Sequence, residues 1–94
     1  MNTVLRYVPL GYQQIVALSA ATALTVPEGA TVAVIESEAQ GVRWRDDGTD
    51  PTAAIGMPIP SGETLEYSGN LAALRFIEEA ASAKLNVSYY KIAG

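Results

Sequence analysis

The chain contains no cysteine and no histidine. The first absence excludes disulfides, thiolate nucleophiles and thiolate metal sites. The second removes the commonest general base, the usual zinc ligand and any serine–histidine arrangement. Lysine is confined to Lys84 and Lys91, which leaves few candidates for Schiff-base or phosphate chemistry. No stretch approaches the ~20 apolar residues that cross a bilayer. The opening MNTVLRYVPLGYQ also lacks the apolar core, about 7–15 residues long, of a secretory signal. Neither membrane insertion nor a signal peptide is expected.

What remains is a chain of 94 residues with six basic and ten acidic side chains, a formal charge of −4. That length makes one small domain, whose modest buried fraction leaves stability marginal without help from partners. An acidic domain with scattered arginines is a poor nucleic-acid binder, because affinity there comes mostly from cations on phosphates. Nearly half the residues, 49%, are hydrophobic. In so short a chain this points to apolar surface covered by another subunit.

Turn signals recur at short intervals: PLG at Pro9–Gly11, PEG at Pro27–Gly29, DDGTDP at Asp46–Pro51, PSG at Pro60–Gly62 and SGN at Ser68–Asn70. Such spacing suits many short strands. Between the turns the residues alternate. Val42 and Trp44 oppose Arg43 and Arg45. Leu65 and Tyr67 oppose Thr64 and Glu66. Leu85, Val87 and Tyr89 oppose Asn86, Ser88 and Tyr90. Period two with one apolar face marks a half-buried strand. The pattern predicts about eight strands, at 12–18, 22–26, 31–38, 41–46, 53–58, 63–67, 72–78 and 84–91. An all-β class follows: a small antiparallel β-sandwich or jelly roll.

One segment argues back. NLAALRFIEEAASAKL, Asn70 to Leu85, is rich in helix formers, with Leu71, Leu74, Ile77, Ala81 and Leu85 at helical spacing and Asn70 as a cap. Against a helix stands an internal echo. VPEGATV (Val26–Val32) matches IPSGETL (Ile59–Leu65), and VRWRDD (Val42–Asp47) parallels LRFIEE (Leu74–Glu79). Gly48 ends the first copy in a sharp turn, so that copy is a strand, and by analogy the second is too. The simplest meaning is a pseudo-repeated Greek-key unit.

The densest cluster of charge is RDDGTDP. Asp46, Asp47 and Asp50 carry the oxygens that Ca²⁺ takes, but their spacing is not that of an EF-hand loop. Asp-Gly is itself a turn signal, since Gly tolerates φ > 0 and Asp bonds nearby backbone N–H groups. The acids therefore read first as turn residues. Arg43 and Arg45 are left to pair with neighbouring acids, where an exposed pair contributes ~0–1 kcal/mol, or with a carboxylate on a partner. Glu36 with Glu38, and Glu78 with Glu79, match no acid/base motif. No catalytic residue, metal site or cofactor is expected. Trp44, Tyr67, Phe76 and Tyr89 fall on apolar faces and read as core, which leaves Tyr90 as the exposed aromatic.

Met1 to Gly11 carries Val4, Leu5, Tyr7, Val8 and Leu10 but is interrupted by Pro9. It reads as an extended arm, residues 1–11, ahead of a sandwich over 12–94. Such an arm covers its apolar side chains against a neighbouring subunit.

The TVPEGAT turn, VRWRDDGTDPTAAIGM, YSGNLAALRFIE and the closing AKLNVSYY together resemble a group of small virion proteins of tailed bacteriophages. The resemblance covers about Tyr12 to Tyr90. It implies a β-sandwich made in the host cytoplasm that assembles on the outside of the phage head. There it would act as a decoration or cementing protein on the major capsid protein, as a homotrimer first and a dimer second. Val4, Leu5, Tyr7, Val8, Arg43, Arg45 and Tyr90 are the expected interface residues. The alternative is a tail or neck module that recognises a cell-surface saccharide.

Overall fold

The structure, a computed structural model, describes residues 6–93. Eight strands run in chain order: Arg6–Ile15 (β1), Thr22–Ala23 (β2), Val32–Glu38 (β3), Val42–Arg45 (β4), Met57–Ile59 (β5), Thr64–Tyr67 (β6), Arg75–Glu78 (β7) and Lys84–Ala93 (β8). They form two four-stranded sheets, ordered β1-β8-β3-β6 and β2-β7-β4-β5. Every pairing is antiparallel. Every link except β4–β5 carries the chain from one sheet to the other, which is the connectivity of a jelly roll.

Alternation decides which face is buried. In β8, Leu85, Val87 and Tyr89 are buried, while Asn86, Ser88 and Tyr90 lie on the other face and are only partly covered. Ala33 and Ile35 of β3, Val42 of β4, Ile59 of β5 and Phe76 of β7 join the same core. Each large apolar side chain buried here contributes roughly 1.5–3 kcal/mol. Among the described residues the one fully buried polar side chain is Ser37. Its hydroxyl reaches the carbonyls of Pro60 at 2.6 Å and Ile59 at 3.2 Å, tying β3 to the β5–β6 turn.

The helix over 70–85 does not form. Only Leu71–Ala73 makes a single 3₁₀ turn, and Leu74 is already extended at φ −69°, ψ 136°. β7 is hydrogen-bonded to β2 on one side and β4 on the other. Pairing on both edges, with Leu71, Leu74 and Phe76 buried, overrides helix propensity.

The internal echo has a structural counterpart. Ala30 N–H donates to Pro27 O at 3.1 Å, and Glu63 N–H to Pro60 O at 3.0 Å. Gly29 and Gly62 both sit at φ 86°, so the two copies make the same turn. The strands that follow, β3 and β6, are neighbours in one sheet. The second pair of echoes lies in β4 and β7, neighbours in the other sheet, where Trp44 directly opposes Phe76.

Several boundaries differ from expectation, among them β7, which starts at Arg75 rather than at 72, and β8, which runs on to Ala93. β5 covers only Met57–Ile59 rather than 53–58, because residues 52–55 form a turn. Thr52 N–H donates to Ile55 O at 2.8 Å, and Thr52 Oγ1 accepts from Ala54 and Ile55 N–H at 3.2 and 3.0 Å. β2 is reduced to two residues. β1 starts at Arg6, so residues 6–11, expected as part of an extended arm across a neighbouring subunit, lie along β8 of the same chain. Pro9 is accommodated because β1 is an edge strand and its register shifts between Pro9 and Gly11.

Candidate functional site

The VRWR segment is β4, and the loop after it returns as β5 to pair with it. The loop is held close by three contacts. Arg43 Nη1 donates to Gly56 O at 3.0 Å. Tyr67 OH donates to Asp46 Oδ2 at 2.7 Å, anchoring the loop to β6 in the facing sheet. Gly56 sits at φ 140°, and a Cβ there would meet Pro51 Cβ and Trp44 O at 3.1 Å. Only glycine lets the chain pass this near β4.

The loop and β5 enclose an open cleft of about 530 Å³ lined by Trp44, Arg45, Asp46, Asp47, Ile55, Gly56 and Met57. Trp44 is braced from the core side by Tyr67, the rings meeting nearly edge-on at 5.8 Å and 80°. Ile55 is 59% exposed and Met57 58%. Two large apolar side chains are thus held in solvent beside an indole, a combination that suits contact with another molecule.

The charges at the cleft are already paired within the chain. Arg45 grips Asp47 with two parallel bonds, Nε to Oδ1 at 3.0 Å and Nη2 to Oδ2 at 2.5 Å. The Asp47 carboxyl is held below the usual range, first by that hydrogen bond. The Tyr67 phenol is raised, chiefly by its hydrogen bond to Asp46. Arg43 donates through Nε to Glu79 at 2.8 Å. Arg45 and Arg75 stand directly opposite in the ladder, and Arg75 turns its Nη1 to the carbonyls of Ala72 and Leu74, both at 2.9 Å. Asp46 and Asp47 therefore serve a tyrosine and an arginine. Among the described residues no group of three acidic side chains is arranged to hold a metal ion.

The expected interface residues do not gather in one place. Arg43 and Arg45 lie on β4, both partly covered. Tyr7 and Val8 lie on β1, at the end of the ribbon that β1 and β8 form. Val4 and Leu5 lie outside the described residues. Tyr90 is not the exposed aromatic: its ring packs against Tyr7 at 5.6 Å, and Ser88 Oγ donates to its hydroxyl at 3.1 Å. Tyr7 in turn donates to Glu66 at 2.7 Å. Val32, paired with Tyr90 on this outer face, is completely buried yet is not part of the main core. The two tyrosines thus act as a small second core. The most exposed aromatic is instead Tyr12, at 65%.

Sequence reasoning missed Ile55 and Met57, which it assigned to a strand, and Tyr12. For the first two the available signal was TAAIG, a threonine-led turn ahead of glycine, which lifts Ile55 out of any ladder. No family model matches the chain, and neither the curated proteins nor the solved structures contain a match to it.

Proposed function

We propose that this is a non-enzymatic structural protein of tailed-bacteriophage virions, a head decoration or cementing protein that docks on the lattice of the major capsid protein. The observation that carries the reading is the exposed pair Ile55 and Met57 beside Trp44, on a loop pinned to both sheets. A preformed apolar surface can bind another protein without the cost of ordering a loop. The acids nearby favour a binding role over catalysis: Asp46 serves Tyr67, Asp47 serves Arg45 and Glu79 serves Arg43. The virion setting rests on the sequence resemblance alone. A cementing protein stabilises a shell by mass action, because dismantling the shell must first re-expose the surface it covers.

The test uses particles that lack the protein. Adding the purified chain back is expected to restore resistance to heat and to chelators, and Met57→Glu is expected to bind no particles while folding normally. Particles that resist equally well without the protein would dispose of the cementing role.

One observation favours a second reading, a tail or neck module for a cell-surface saccharide. Trp44 offers an aromatic surface in a cleft bordered by Arg45, Asp46 and Asp47, and the cleft is within the ~300–1,000 Å³ of small-ligand sites. Glycan binding that survives Tyr90→Phe but not Ile55→Asp would favour it over the lattice.

A further inference from the structure

From Tyr7 to Pro27 the chain contains no Asp, Glu, Lys or Arg. This stretch supplies β2 and all of β1 except its first residue, Arg6, and these strands each form one edge of the two sheets. The six-residue link between these strands puts both edges on one flank of the sandwich. Beyond Arg6, the chain on that flank carries no charge, in a molecule whose net charge is −4. It exposes Tyr12 at 65% and Val16 at 60%.

A free strand edge presents a row of unpaired N–H and C=O groups, and soluble proteins usually guard it with charges, prolines or bulges. β1 pairs only with β8, and among the described residues no other backbone hydrogen bond reaches it. Pro9 and the register shift after it guard the first half of the strand. The second half, residues 11–15, has no guard. Five residues are a normal strand length.

We infer that β1 binds the β1 of a second copy, residues 11–15 pairing antiparallel across a twofold axis to join two four-stranded sheets into one of eight. The occupant is a second copy because two identical anionic chains meet with least repulsion where neither presents an acid, and residues 7–27 of this flank contain none. A twofold makes the interface self-complementary, so the same backbone groups satisfy one another. It yields a dimer, whereas the resemblance ranked a trimer first. The inference stands apart from the cleft, which lies at the β4–β5 end of the other sheet, and does not need the virion reading.

The experiment is mass by light scattering over a range of concentrations, with amide exchange read at residues 11–15. The wild type is expected to have twice the chain mass, with those amides protected more strongly as concentration rises. Tyr12→Lys puts a cation on the edge, at a site open to solvent, and is expected to halve the mass. Thr64→Lys on the opposite edge is expected to leave the dimer intact. A wild type that stays monomeric, a trimer, or a dimer indifferent to Tyr12→Lys would overturn the inference. Exchange at residues 11–15 that ignores concentration would also overturn it, without relying on any variant.

Discussion

The Tyr89 hydroxyl donates a 2.6 Å hydrogen bond to Gln13 Oε1, and the same oxygen accepts the Thr25 N–H at 3.2 Å. One amide oxygen thus joins β8, β1 and the segment entering β3 at the edge of the core. The tyrosine is almost wholly buried, so its anion would lose its water without gaining a partner.

Burial pushes the Tyr89 phenol up from 10.0 to about 12. Below the unfolded value both states keep the proton and stability is complete. As pH rises from 10 towards 12 the unfolded chain ionises first, so stability falls across that window. Tyr7 and Tyr67 are raised as well, by hydrogen bonds to Glu66 and Asp46, and act in the same direction from the surface. Urea unfolding followed against pH is expected to show an alkaline decline that Tyr89→Phe makes shallower. At neutral pH that variant should lose about 1 kcal/mol, the net contribution of one hydrogen bond.

Ser37 bridges β3 to the Ile59 and Pro60 carbonyls from a position with no access to water. Ser37→Ala removes the donor that ties β3 to the turn, while Pro60 O keeps the Glu63 N–H. A loss of roughly 0.5–1.5 kcal/mol is expected, read as a lower denaturant midpoint with unchanged slope. Ser37→Thr keeps the hydroxyl but adds a methyl to a closed site, so it should restore only part of the loss.

The ladder of the sandwich was legible because alternation sets both the strand and its inward face. VRWR and KLNVSYY place Trp44, Leu85, Val87 and Tyr89 towards the core with no tertiary information. The β1 boundary was not legible, since Pro9 reads as a breaker unless the strand is known to lie at an edge with a shifted register. Tyr90 reads as exposed by parity, but its cover is Tyr7, from the other end of the chain. The cleft was hidden for a similar reason. TAAIGMPI alternates well enough to pass for a strand, and only the Thr52 turn and the Arg43 hold on Gly56 lift Ile55 into solvent.

Gly56 carries both a positive φ and close neighbours on β4. Gly56→Ala adds a Cβ against Pro51 and the Trp44 carbonyl, so the loop must move. Strain of this kind costs on the order of 1–3 kcal/mol. The expected result is a lower Tm together with a shifted Trp44 fluorescence maximum, because the indole lines the cleft that the loop shapes. Gly48→Ala is expected to leave the fluorescence unchanged despite its own positive φ, since no atom lies within 4 Å of the added Cβ.

Arg43 joins Glu79 at 2.8 Å, with side chains 27% and 32% exposed. Water screens such a pair, and its coupling is expected at about 0.2–1 kcal/mol. Arg43 has a second task, however, because Nη1 also holds the Gly56 carbonyl. Arg43→Met should therefore cost more than Glu79→Gln, and the excess should appear at the cleft. The double-mutant cycle isolates the ion pair, while Trp44 fluorescence reports the loop. If both single variants cost the same and neither moves the fluorescence, Arg43 is a surface charge alone. If Arg43→Met alone shifts it, the first arginine of VRWR is the residue that keeps Ile55 and Met57 presented.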